Sequence, residues 1–143
     1  MIKKIHIING PNLNLLGRRD PAIYGSVSFE TYLEELLKKY PEGLLHYFQT
    51  NHEGAIIDYL HQAGFEKGVG IILNAGGYTH TSIALRDAID AIDAPVVEVH
   101  ISHIYERESF RSVNYLKEKC IASFVGEGLE GYRKAIDHLL TLT

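Results

Sequence analysis

Val69-Gly-Ile-Ile-Leu73 is apolar at every position except Gly70, and the polar, glycine-containing stretch Asn74-Ala-Gly-Gly-Tyr-Thr-His-Thr-Ser82 follows it directly. An unbroken apolar run of strand length reads as a strand covered on both faces, as in a parallel sheet packed between helices. Other short, largely apolar runs stand at 5–8, 44–48, 96–101 and 121–125. Segments of helical period separate them. Phe29, Leu33, Leu36 and Leu37 follow Ser28, a natural N-cap, and the cluster Tyr40-Pro-Glu-Gly43 stops that helix. Ala55, Ile56, Tyr59, Leu60 and Ala63 precede Gly64, and Ile83, Ala84, Ala88, Ile89 and Ile92 precede Pro95. Tyr132, Ile136, Leu139 and Leu140 fall on one side of a last helix over 129–142.

Five strands alternating with helices require right-handed crossovers and a parallel sheet with helices on both faces. For a chain of 143 residues this predicts a single α/β domain spanning 1–143, a flavodoxin-like doubly wound sheet with strand order 2-1-3-4-5. Such a sheet binds ligands at the carboxyl ends of its strands, beside the switch point between strands 1 and 3. The unusual polar residues gather there: 9–14 after strand 1, 74–80 after strand 3 and His100 to Ser102 after strand 4. The first connection, Asn9-Gly-Pro-Asn-Leu-Asn-Leu-Leu-Gly-Arg-Arg-Asp-Pro-Ala-Ile-Tyr-Gly25, far exceeds the usual ~2–6 residues. Its Arg18, Arg19, Tyr24, Asn12 and Asn14, with Gly17 and Gly25 as hinges, suit an active-site lid at about 17–25, though the same residues fit a solvated loop.

Hydrophobic residues make up 45% and charged residues 22%, an ordinary globular composition, and the formal net charge is -4. An acidic chain is a poor general nucleic-acid binder, because phosphate neutralisation needs a basic surface. Cys120 is the single cysteine, which excludes an intramolecular disulfide and suits a reducing compartment. No apolar stretch reaches membrane-spanning length and no signal-peptide core opens the chain, so a cytoplasmic location is expected.

Strand alternation sets Glu98, His100 and Ser102 on one side. A carboxylate two residues from a histidine can hold its ring and favour the imidazolium, a general acid near neutral pH; the same pair also occurs as a purely structural contact. Asn74 and the glycines at 76 and 77 can wrap backbone donors around a ligand or simply form a tight turn. His80 and Asp87 are seven apart and share a face if both are helical; Arg107 and Arg111 are four apart on the turn after strand 4, again on one helical face, able to pair with carboxylates or hydroxyls or to remain solvated. His100-Ile-Ser-His103 lacks zinc-site spacing, so no metal is expected. Phosphate-loop and dinucleotide glycine motifs are absent. So are the acidic cluster of a phosphoacceptor domain and a strand-buried lysine for Schiff-base chemistry. A flavodoxin-like binding module for a phosphate or flavin and a metal-assisted hydrolase are the competing classes. The first predicts a coloured or phosphate-loaded protein and the second an activity lost to chelator.

Together Asn9-Gly-Pro-Asn-Leu-Asn-Leu-Leu-Gly-Arg-Arg19, Ile23-Tyr-Gly25, Leu73 to Ser82, Glu98-Val-His-Ile-Ser102 and Phe110-Arg111 resemble the type II 3-dehydroquinate dehydratases, as do Gln49-Thr-Asn51 and 126–132. The resemblance implies a flavodoxin-like fold and cofactor-free anti elimination of water from 3-dehydroquinate through an enolate, giving 3-dehydroshikimate. It implies Tyr24 as the base beside the ketone. An ordinary tyrosine, with pKa about 10, is protonated at pH 7, and the Arg19 charge would favour its phenolate and the developing enolate. Asn12 would hold a water on the enolate oxygen, and His100, oriented by Glu98, would protonate the departing hydroxyl. Asn74 and the backbone amides of Ile101 and Ser102 would take the substrate carboxylate and nearby hydroxyl, His80 and Arg111 the ring hydroxyls. Asp87 would reach the site from a neighbouring subunit of a homo-dodecamer, a tetramer of trimers. The stretch Ser102-His-Ile-Tyr-Glu-Arg107 departs from the family, which more often has Asn after the Ser and His-Ala before the Arg.

Overall fold

The computed structural model describes residues 1–142; Thr143, the last residue of the expected domain, lies outside the described residues. Five strands form one parallel sheet: β1 (Lys4–Asn9), β2 (Leu45–Gln49), β3 (Val69–Asn74), β4 (Val96–His100) and β5 (Ala122–Val125). Their order is β2-β1-β3-β4-β5, as the alternating pattern predicts. Both β1 and β3 run past their apolar residues to end on an asparagine, because ladder bonds belong to the backbone and are indifferent to the side chain. The register sets Asn9 opposite Gln49 on one side and Asn74 on the other. Three side-chain amides therefore line the carboxyl edge of the sheet at the switch point.

Two helices cover each face. On one, α2 (Phe29–Lys39) and α5 (Glu130–Leu140) bury Phe29, Leu36, Tyr132, Ile136 and Leu139 against Ile5, Ile7, Ile72, Val97 and Val99. On the other, α3 (Glu53–Gly64) and α4 (Ile83–Ala91) bury Ile56, Leu60, Leu85 and Ile89 against Ile8, Ile71 and Leu73. Alternate residues of β3 thus enter different cores, the physical meaning of its unbroken apolar run. Ser28 caps α2 by accepting from Thr31 N at 3.2 Å, and Ser82 caps α4 by accepting from Leu85 N at 2.9 Å. Each such cap stabilises its helix by ~1 kcal/mol. No helix is long and apolar enough to cross a membrane among the described residues.

The connections differ from expectation in detail. The 9–25 loop contains a 3-10 turn (Leu13–Leu15) and a four-residue helix, α1 (Pro21–Tyr24). Pro21 occupies the first helical position, where its fixed φ costs nothing; a single turn is too short to register as a period. His80 does not share a helical face with Asp87: it ends a separate 3-10 turn (Gly76–His80), and Ser82 starts α4 afresh. Arg107 and Arg111 are likewise not on one helix. Residues 104–119 form three 3-10 turns; Arg107 follows the first in extended backbone and Arg111 lies in the second. At the switch point the loops after β1 and β3 touch. A Cβ on Gly10 would stand 2.7 Å from the Ala75 carbonyl oxygen, so only glycine fits.

Candidate active site

The carboxyl ends of β1, β3 and β4 open on a cleft of about 150 Å³. Its walls include Asn12, Arg19 and Tyr24 from the first loop, Asn74 and His80 from the second, and His100, Ile101, Ser102, Arg107 and Arg111 from the third. Ten of the residues singled out in the sequence therefore share one small space. Asp87 does not join them within the chain: it is solvent-exposed on α4 and outside the cleft.

Glu98 and His100 form a buried pair behind the cleft. His100 Nε2 lies 2.8 Å from Glu98 Oε2, and the two side chains are 4% and 1% exposed. Glu98 also accepts from Ser123 Oγ at 2.7 Å and from Asn114 Nδ2 at 3.0 and 3.2 Å. Burial alone would push its carboxyl up. The hydrogen bond and charge of His100, with the bonds from Ser123 and Asn114, outweigh burial and hold it below the ordinary carboxylate range. An ionised carboxylate only accepts, so Nε2 carries the bridging proton and Nδ1 is the ring nitrogen left for the cleft. Ser123 is the register partner of Glu98 across β4 and β5. Asn114 comes from the distant 3-10 segment, and neither stood out in the sequence.

Tyr24 is 9% exposed and enclosed by two guanidinium groups. Arg19 Cζ lies 4.5 Å from its ring centroid, over the face. Arg107 Nη1 donates to the phenol oxygen at 2.9 Å and approaches Ser102 Oγ at 3.3 Å. Arg18, the other cation of the pair, is exposed and lines a different surface. The second cation at the phenol is thus Arg107. The 83-residue separation between the partners leaves no sequence signal of that contact.

Asn12 has a left-handed backbone, φ 70°, a conformation asparagine tolerates better than most residues. Its N–H donates to Asn51 Oδ1 at 3.0 Å; Gln49 donates to the same oxygen at 3.2 Å. The Gln49-Thr-Asn51 stretch therefore supports the Asn12 turn from below. The Asn74 side chain is largely committed to the protein: Nδ2 donates to Tyr132 Oη at 2.9 Å, and Oδ1 accepts from Gly76 N at 3.2 Å. One Nδ2 hydrogen remains for the cleft. Tyr132 in turn donates to Asn9 Oδ1 at 2.7 Å. His80 Nδ1 donates to the Val113 carbonyl at 2.6 Å, since only the ring nitrogen can carry that proton, leaving Nε2 free. Burial, then the charges of His100, Arg111 and Arg107, lower the His80 pKa in spite of that bond. Arg111 is oriented by Glu108 at 2.8 Å.

A larger groove of about 780 Å³ lies on the other flank of Tyr24, between 22–27, Tyr32 and 126–130. It shares Tyr24, Ile101, Ser102 and Arg107 with the cleft but not His100. Tyr24 and His100 share the smaller space alone. Among the described residues no group of three or more His, Cys, Asp or Glu side chains is placed to hold a metal ion.

The chain has counterparts in sequence and fold. A sequence model of the family described as Dehydroquinase class II matches residues 3–140. A 3-dehydroquinate dehydratase of Exiguobacterium sp. is 54% identical over 138 residues, covering 96% of this chain and 94% of its own. A catabolic 3-dehydroquinase of Botryotinia fuckeliana is 48% identical, covering 95% of this chain and 91% of its own. The crystal structure of a type II dehydroquinase from Butyrivibrio crossotus superposes with a TM-score of 0.90 at 44% identity, covering 97% of this chain and 98% of that one.

Proposed function

The chain belongs to the dehydroquinase class II family, and from that premise we propose how its cleft performs the reaction. It is a hydro-lyase that converts 3-dehydroquinate to 3-dehydroshikimate, a step shared by the shikimate route to aromatic amino acids and by quinate breakdown. One observation carries the site assignment: a phenol and a carboxylate-backed imidazole, Tyr24 and His100, line the same cleft.

Tyr24, in its ionised form, takes the proton from the carbon beside the ketone, and the C–H electrons pass into the carbonyl as an enolate. A guanidinium offers donors only, so Arg107 is matched to an oxygen presenting lone pairs. Arg19 supplies positive charge to the enolate as it forms, and Asn12 holds a water against the same oxygen. His100 delivers a proton from Nδ1 to the departing hydroxyl. The C–O bond breaks, water leaves, and the enolate electrons close the new C=C bond. Glu98 holds the ring and balances its charge throughout. The steps move only protons and electron pairs, with no net oxidation, so acid, base and local charge suffice and no cofactor is required.

The substrate carboxylate and adjoining hydroxyl fall to the Ile101 and Ser102 amides and the remaining Nδ2 hydrogen of Asn74. His80 Nε2 and Arg111 take the ring hydroxyls. Asp87 completes the site from a neighbouring subunit of a dodecamer built as four trimers, and the assembly works in the cytoplasm. The test is ultraviolet absorbance of the conjugated enone formed from 3-dehydroquinate by purified, colourless protein. Absorbance rises equally with and without chelator; no rise refutes the activity, and a rise abolished by chelator refutes the cofactor-free mechanism.

A further inference from the structure

We propose that Asn114 is a positioning residue for this elimination: its amide holds the Glu98 carboxylate in the one rotation that presents Oε2 to His100. The inference rests on the assignment of Glu98 and His100 above. A carboxylate on a glutamate side chain turns readily about its last bond, a broad torsion with no strong intrinsic minimum. Its orientation must come from its partners. Ser123 Oγ reaches Oε1 alone, at 2.7 Å, and His100 reaches Oε2 alone, at 2.8 Å. Asn114 Nδ2 spans both, at 3.0 Å from Oε1 and 3.2 Å from Oε2, and so opposes rotation either way.

The Asn114 amide is itself fixed at its other end. Oδ1 accepts from the backbone N–H of Leu116 at 2.9 Å and of Lys117 at 3.0 Å. A flipped amide would place Nδ2 against those two donors and Oδ1 against the carboxylate, losing its bonds to both, so its orientation is determined. Nδ2 also lies 3.2 Å from Tyr105 Oη. The segment that carries Arg107 to the phenol and Arg111 to the cleft is thereby fastened to the proton-donating pair through one side chain. The remaining titratable neighbour, the Cys120 thiol, is pushed up to about 12 by burial and then by the Glu98 charge, and is neutral.

Asn114→Asp is the discriminating variant. It keeps the oxygen that caps residues 116 and 117 but replaces the donor facing Glu98 with an acceptor. Two carboxylates in that contact hold one proton between them. At pH 7 kcat falls by about tenfold to a hundredfold, the loss expected when a hydrogen bond to a charged group is removed, while KM changes less than about threefold. The deficit deepens as pH rises and the shared proton, the one hydrogen bond left between the two carboxyls, leaves, a titration the parental enzyme lacks. The cap on residues 116 and 117 survives in this variant. An Asn114 that served only as a cap would leave kcat and its pH profile at parental values, and that result overturns the proposal. Asn114→Ala gives a second route should the aspartate variant fail to fold. With the carboxylate no longer pinned to the ring, kcat falls by about fivefold or more while KM changes less than about threefold; an unchanged kcat overturns the proposal. A parental protein that forms no enone refutes the dehydratase assignment itself, whereas an active parent with an unaffected Asn114→Asp variant refutes only the role of Asn114.

Discussion

Replacing Tyr132 by Phe tests how the buried amide row at the switch point is held. Tyr132 is fully buried, and its hydroxyl donates to Asn9 at 2.7 Å and accepts from Asn74 at 2.9 Å. Burial pushes this phenol above its usual range, so it serves as a neutral hydrogen-bonding bridge. Removing the oxygen strands Asn9 Oδ1 and one Nδ2 hydrogen of Asn74, on residues only 0% and 3% exposed. A stranded buried polar group costs ~1–3 kcal/mol. Both amides retain one bond elsewhere, Asn9 Nδ2 to Tyr47 at 3.4 Å and Asn74 Oδ1 from Gly76 at 3.2 Å, which favours the lower part of that range. The ring keeps its edge-to-face packing on Phe29, centroids 4.9 Å apart, so the apolar contribution is unchanged. The two stranded groups together give a loss of ~2–4 kcal/mol, and at this chain length a fall in Tm of ~5–15 °C. Thermal unfolding followed by circular dichroism reads it directly. Steady-state kinetics adds a second reading: an Asn74 amide freed to turn raises KM more than it lowers kcat. A Tm within ~3 °C of the parent, with KM unchanged, would refute the bridging role.

Tyr24→Phe should lower kcat by ~10²–10⁴-fold, the usual share of a general base, with an unchanged circular dichroism spectrum; near-normal turnover would remove Tyr24 as the base. Arg19→Ala should act chiefly on kcat, because its charge is needed as the enolate forms, and an effect confined to KM would mean that it only binds substrate. Stability should decline as pH falls. Burial, then the charge of His46, lowers the His6 pKa from its ordinary 6.5, and burial lowers that of His80 as well. The unfolded chain therefore binds protons at both residues from pH 6.5 downward before the folded chain does, and stability is lost over that interval. Glu98 acts lower: its contribution is complete above the ordinary value of 4.5 and disappears as pH falls through its depressed folded value. Tm measured from pH 7 to 5 should fall, and a flat Tm would refute the histidine term.

Local pattern carried most of the fold and the outline of the cleft. The apolar runs fixed five strands, Ser28 and Ser82 declared two helix starts, and the two-residue period of β4 set Glu98 and His100 side by side. What escaped the sequence depends on contacts between distant segments. Arg107 meets Tyr24 across 83 residues, and Asn114 reaches Glu98 from a segment of 3-10 turns that has neither helical nor strand period. Asn74 shows a different limit. Its place at the cleft was legible, but its commitment to Tyr132 and Gly76 follows from which helix packs on which face of the sheet.

The proposed acid and the proposed base are held in unlike ways, and the proposed mechanism gives a reason. His100 ends a central strand and is locked by a carboxylate that three further hydrogen-bond contacts fix in turn. Its proton therefore has one position relative to the sheet edge, as protonating a single departing hydroxyl demands. Tyr24 ends a four-residue helix set between Asp20, φ 33°, and Gly25, φ 81°, two left-handed residues that turn the chain sharply at each end. Two guanidinium groups hold its ring and oxygen, and the residue belongs to the buried core that includes Leu13, Leu16 and Ile101. Beyond it lies the 780 Å³ groove, so the strap packs against the body on one flank alone. Withdrawing Tyr24 would cost its cation contacts and its place in one core, whereas moving His100 would mean breaking the sheet. The proposed mechanism thus sets its leaving-group chemistry on the sheet and its proton abstraction on the first connecting loop, where each need is met by a different part of the fold.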